Sequence, residues 1–119
     1  MPKIMLAEDD RTMITLLKTL LGMEGYQVVA LDENDDVFEA VRKDRPDVLL
    51  LDVHLQNANG LEVLTQVRAD AETSDLSVVM TSGLNLETEC LQSGANGFLL
   101  KPYMPDDLLD ILKRNIDQS

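Results

Sequence analysis

The sequence predicts an α/β fold, a doubly wound sheet of five parallel strands with helices on both faces. Two observations carry this: short apolar runs that lack polar alternation, and amphipathic stretches that separate them at regular intervals. The runs are Ile4 to Ala7, Val48 to Leu51, Val78 to Met80 and Phe98 to Leu100, with Gln27 to Leu31 as a weaker fifth. A strand without a polar face is buried on both sides, as parallel strands covered by helices are. Strand and helix alternating at this spacing imply right-handed crossovers, and in such sheets ligands bind beyond the carboxyl ends of the strands.

The helices follow in order. Met13, Leu16, Leu17, Leu20 and Leu21 recur at helical spacing and predict one apolar stripe, stopped near Gly25. Val37, Phe38 and Val41 form a second stripe behind candidate caps at Asn34 and Asp35, and Leu61, Leu64 and Val67 a third behind Asn59-Gly60. Leu86 to Gln92 is weakly patterned. Pro105 with Asp106 and Asp107 opens a last helix; its Leu108, Ile111 and Leu112 face inward, and Lys113 and Arg114 suit its negative end.

Composition narrows the function. A chain of 119 residues suits one domain, taken here as residues 1–119, and 45% apolar residues are too many for a disordered segment. Ten basic against 22 acidic side chains give a net charge of -12, which repels nucleic acid and acidic membrane surfaces and favours cations or basic partners. Cys90 is the sole cysteine, so neither an internal disulfide nor a thiolate zinc site can form, and a cytoplasmic setting fits. The apolar run before Glu8 is too short for a signal peptide or a membrane span.

The candidate chemistry lies at strand ends. Glu8, Asp9 and Asp10 follow the first run and Asp52 follows the third, so the fold brings four acids to one edge. Two carboxylates about 4 Å apart repel by roughly 4 kcal/mol at an effective dielectric of 20, so a cation or a basic side chain is needed. Hard oxygens with room for water suit Mg2+. Ser82 and Lys101 end two further strands on the same edge, where a hydroxyl and an ammonium would stabilise phosphoryl oxygens during transfer to a carboxylate.

On these residues the chain resembles a response regulator receiver domain of two-component signalling, similar to the chemotaxis regulators, from Lys3 to about Ile116. The resemblance implies a flavodoxin-like strand order 2-1-3-4-5. It implies Asp52 as phosphoacceptor, with Glu8, Asp9, Asp52 and the backbone carbonyl of His54 holding Mg2+. Lys101, before a Pro102 whose peptide bond is often cis in the family, and Ser82 would bind the phosphoryl oxygens. Ser82 and Phe98 would form the switch. The implied role is a phosphorylation-dependent signalling switch that promotes only its own phosphoryl transfer and dephosphorylation and is not otherwise an enzyme. Its partners would be a sensor histidine kinase or phosphotransfer protein and an effector, with no direct nucleic acid or membrane binding; a homodimer through the last helix is open, as is an effector domain after Ser119.

Departures from the family pattern sit near the site. Gln56 stands where proline is usual and Asn59 where Asp is common, which predicts a less rigid loop after Asp52. The stretch from Ser82 to Lys101 is short, which predicts a shrunken fourth helix, and Thr81 beside Ser82 offers a second hydroxyl. His54 and Leu84 are candidates for tuning hydrolytic water. The competing function is a pseudo-receiver acting as a phosphorylation-independent scaffold. A phosphatase similar to the haloacid dehalogenases needs a second Asp where His54 stands, and a nucleotide- or flavin-binding domain needs a Gly-rich loop where the acids stand.

Overall fold

The computed structural model describes residues 1–116, so of the domain expected over 1–119 the last three residues lie outside the described residues. Five strands and five helices alternate: β1 Lys3–Ala7, α1 Arg11–Met23, β2 Gln27–Ala30, α2 Val37–Asp44, β3 Val48–Asp52, α3 Gly60–Ala69, β4 Ser77–Ser82, α4 Glu87–Gln92, β5 Gly97–Leu100 and α5 Pro105–Ile116. All strand pairs are parallel, in the order β2-β1-β3-β4-β5.

The uninterrupted apolar runs are explained by two cores, one on each face of the sheet. Met5, Ala7, Leu49, Leu51, Val78 and Met80 pack with Val37 and Val41 of α2, with Val63, Leu64 and Val67 of α3, and with Cys90 of α4. The alternate residues, Ile4, Leu6, Val48, Leu50 and Val79, pack with Leu17 and Leu21 of α1 and with Leu108, Ile111 and Leu112 of α5. Successive side chains leave a strand on opposite faces, so both phases must be apolar. Burying each large aliphatic side chain contributes roughly 2 kcal/mol, so a polar residue in either phase is costly.

Local corrections come from the helices. Leu16 is 61% exposed and does not belong to the α1 stripe, because Leu16 and Leu17 are about 100° apart around the axis and only Leu17 reaches the sheet. The cap of α2 is neither Asn34 nor Asp35 but Asp36, whose side chain accepts from Glu39 N at 3.0 Å. The fourth helix is short as expected, six residues without a side-chain cap, and is followed by Gly94 at φ +108°.

Candidate functional site

The register of the sheet decides which side chains meet. Ala7 pairs with Leu51, Asp52 with Thr81, and Ser82 with Leu100. Glu8 and Lys101, one residue further on, therefore leave the sheet at the same edge as Asp52. Both carboxylates are buried, Asp52 at 6% and Glu8 at 9% exposure, so they need a counter-charge. Lys101 Nζ supplies it, donating to Glu8 Oε1 at 2.5 Å and to Asp52 Oδ2 at 2.6 Å. Its backbone is set by Lys101 N donating to Ser82 O at 2.8 Å, and the Lys101–Pro102 peptide is cis.

The electrostatics follow from one ammonium serving two acids. Burial, opposed by Lys101 and reinforced by the charge of Asp52, raises the Glu8 carboxyl above its usual 4.5. Burial alone would lower the Lys101 ammonium, but its hydrogen bonds to Asp52 and Glu8 prevail and raise it above 10.5. Tyr103, which the sequence reading missed, belongs to the same field: burial, together with the Glu8 charge, pushes its phenol up to about 12. Its hydroxyl donates to Met13 Sδ at 3.9 Å, joining the β5–α5 connection to α1. The available signal was an aromatic residue directly after Lys101-Pro102.

The remaining predicted residues divide by contact. Asp52 Oδ1 accepts from His54 N at 2.9 Å, so His54 serves the site through its backbone while its side chain is exposed. Asp9 and Asp10 donate their N–H groups to Glu8 Oε2 at 2.9 and 3.3 Å. Asp10, the fourth acid of the cluster, caps α1 by accepting from Thr12 N and Met13 N. The carboxylate of Asp9 accepts from Gln56 N. Ser82 is fully buried with Oγ accepting from Leu84 N at 3.0 Å, which leaves its own proton free to donate. Thr81 is buried and its carbonyl accepts from Val53 N at 2.9 Å. Phe98 is half-buried against the core under α4.

The loop after Asp52 carries several hydrogen bonds. Leu55 N donates to Ala58 O at 3.2 Å, Gly60 N to Val53 O at 2.7 Å, and the Asn59 side chain caps α3 by accepting from Leu61 N at 2.9 Å. Gly60 is required here, since a Cβ would lie 2.4 Å from Asp52 O and 2.8 Å from Val53 Cα. Among the described residues, no group of three or more His, Cys, Asp or Glu side chains stands ready to hold a metal ion. Lys101 lies between Glu8 and Asp52, and Asp9 is engaged by Gln56 N. The structure thus gathers Glu8, Asp52, Lys101 and the His54 backbone, with the Asp9 N–H on Glu8 and the Asp9 carboxylate on Gln56 N.

A parallel sheet in this order, with a lysine-bridged pair of buried carboxylates at its carboxyl edge, defines a class of doubly wound domains with an acidic edge site. Comparison with known proteins names it: the model of the response regulator receiver domain matches residues 4–113, and the chain belongs to that family. It is 31% identical to the DNA-binding response regulator MtrA of Mycobacterium tuberculosis over 123 residues, covering 98% of this chain and 53% of that protein. The chain therefore spans about half the length of the curated relatives it matches first. Protein PilH of Pseudomonas aeruginosa is 30% identical over 112 residues, covering 92% of this chain and 93% of PilH. Among solved structures, the chemotaxis response regulator CheY4 of Vibrio cholerae superposes with a TM-score of 0.87 at 25% identity, covering 97% of this chain and 98% of that one. Among the described residues no helix is long and apolar enough to cross a membrane.

Proposed function

We propose that this chain, read as one receiver domain over residues 1–119, is a phosphorylation switch in which Asp52 accepts a phosphoryl group from a phosphohistidine. The observation that carries this reading is the contact of Lys101 Nζ with Asp52 Oδ2 at 2.6 Å, at a carboxylate only 6% exposed. An Asp52 oxygen forms the new O–P bond, the P–N bond to the donor histidine breaks, and the departing imidazole nitrogen takes up a proton. Lys101 moves from the carboxylates to the phosphoryl oxygens, and Ser82 supplies its free hydroxyl proton to another. Ser82 and Phe98 then bias a two-state surface around α4, β5 and α5, which an effector reads.

The donor set fits Mg2+, because Glu8, Asp9, Asp52 and the His54 carbonyl are all hard oxygens at one sheet edge. Bound there, the ion would neutralise charge on the transferring phosphoryl group. The phosphodonor would be a sensor histidine kinase or a phosphotransfer protein, in a cytoplasmic setting. MtrA is named as DNA-binding; with a net charge of -12, this chain would reach DNA only through another segment or partner. The family match and the buried Lys101-paired acids favour the switch over the pseudo-receiver scaffold.

The test is mass spectrometry after incubation with acetyl phosphate, with and without Mg2+, on the native chain and on Asp52→Asn. The expected result is a Mg2+-dependent gain of one phosphoryl group that the variant lacks. No gain in any condition would transfer the reading to the scaffold.

A further inference from the structure

Lys101 opens the connection between β5 and α5. Its N–H donates to Ser82 O at the end of the sheet, and Met104 O accepts from Leu108 N at the start of α5. Of residues 102–104, Pro102 and Met104 are exposed, whereas Tyr103 is partly buried against the core that α1 and α5 share. The Tyr103 hydroxyl donates to Met13 Sδ at 3.9 Å, Met13 N donates to Asp10 Oδ1 at 3.2 Å, and Asp10 N donates to Glu8 Oε2 at 3.3 Å. Glu8 Oε1 in turn accepts from Lys101 Nζ at 2.5 Å. With the main chain from Lys101 to Tyr103, these contacts close a circuit that begins and ends at Lys101.

A lysine ammonium rides on four flexible carbons, so what it can reach depends on where its main chain is held. The sheet holds Lys101 on one side, and Tyr103 holds the connection on the other. Burial and the Glu8 charge push the Tyr103 phenol up to about 12, so the hydroxyl keeps its proton and stays a donor near neutral pH. A thioether accepts weakly, so burial of the aromatic ring supplies most of the anchorage and the hydroxyl gives it direction. Resting on the switch reading above, we propose that Tyr103 is a positioning residue for phosphoryl transfer: anchored on α1 through its ring and through Met13, it fixes the Lys101 main chain where the ammonium reaches Asp52 and then the phosphoryl oxygens. It acts through Lys101 and not on the reacting atoms.

The test is a double-mutant cycle on the rate of phosphoryl gain from acetyl phosphate with Mg2+, followed by mass spectrometry. Tyr103→Phe keeps the aromatic ring and loses the donor, while Met13→Leu keeps the packing and loses the acceptor. Each should slow the gain about threefold, and the double variant should be no slower than either, because both changes remove one contact. Tyr103→Ala, which also removes the ring, should slow it about thirtyfold, as a small misplacement of a catalytic group does. Tyr26→Phe, in the other tyrosine packed on the same core, should match native. A second readout needs no phosphoryl group: NMR of the Lys101 ammonium without Mg2+ should show its protons exchanging with water several-fold faster in Tyr103→Phe than in native, although both unfold at the same urea concentration. Native rate and native ammonium exchange in Tyr103→Phe, or a double variant slowed by the product of the single effects, overturns the positioning role and leaves the switch standing. A native chain that gains no phosphoryl group overturns both.

Discussion

Lys101 and Arg68 each carry one positive charge into a half-buried place lined with oxygen, yet the two arrangements differ in kind. Lys101 faces two carboxylates, both within 2.6 Å, one just past β1 and one at the end of β3. Arg68, in the last turn of α3, hydrogen-bonds neutral oxygens, with the Asp75 charge acting on it from nearby: Nε donates to Gly94 O at 2.9 Å, Nη1 to Ser74 O and Leu76 O at 3.0 and 2.7 Å, and Nη2 to Asn96 Oδ1 at 2.8 Å. Asn96 Oδ1 also accepts from Val78 N at 2.7 Å, so the guanidinium fixes the turns before β4 and β5 together. A planar fork on fixed carbonyls has one good geometry, whereas a point charge on a flexible stem can be re-aimed. The Lys101 contact can therefore be re-aimed without losing its charge, whereas the Arg68 contacts are tied to one geometry.

The largest expected effect of breaking this comparison is at the staple. Arg68→Ala removes four hydrogen bonds and leaves partly buried carbonyls without a donor, which should cost about 3 kcal/mol in urea unfolding. Arg68→Lys should recover less than half, since a single ammonium cannot span Gly94, Ser74, Leu76 and Asn96 at once. Mg2+ affinity of the folded protein should not change in either variant. A variant within 1 kcal/mol of native would show that Arg68 is not what holds the α3–β4 connection and the end of α4.

At the acidic edge the expected loss is smaller but answers to a cation. Lys101→Met leaves Glu8 and Asp52 facing each other without a counter-charge and should destabilise by about 2 kcal/mol without Mg2+. Adding Mg2+ should recover much of this, because a divalent ion can stand where the ammonium stood. The same variant should gain little or no phosphoryl group from acetyl phosphate. Loss of stability that Mg2+ leaves untouched would mean that Lys101 acts as a fixed staple, like Arg68.

The contrast also explains what the sequence could reveal. The strands were legible because burial on both faces forces both phases of Ile4 to Ala7 and Val48 to Leu51 to be apolar. Glu8, Asp52 and Lys101 were legible because each follows a recognisable strand. Leu16 was misassigned because two adjacent leucines fit one stripe on paper but only one can face the sheet. The α2 cap was expected at Asn34 or Asp35 and lies one residue further on, at Asp36, directly before the buried Val37. The Gln56–Asp9 bond and the Arg68 staple left no pattern: each joins residues far apart in sequence, and a basic residue at a helix end reads as a partner for the helix dipole.

The smallest expected effect sharpens the comparison furthest, because its sign is favourable. Lys101 serves two acids, so neutralising one should leave a balanced pair instead of an orphan charge. Glu8→Gln keeps the shape of the side chain and an oxygen that can accept from Lys101, while removing the carboxylate that burial disfavours. The native Glu8 carboxyl titrates above 4.5, so the folded state holds its proton more tightly than the unfolded chain. Its burial therefore costs stability above the folded pKa, and this cost fades as pH falls through that value and is gone below about 4.5. Glu8→Gln should accordingly be about 1 kcal/mol more stable than native at pH 7 without Mg2+, with the gap closing as pH falls through the raised folded pKa towards 4.5 and absent below it. With saturating Mg2+ the order should reverse, since the native site gains a ligand that the variant has lost. A Glu8→Gln protein that is less stable at pH 7 without the ion would show that Lys101 needs both acids, and that the edge is a closed salt-bridge cluster instead of a site poised for a cation.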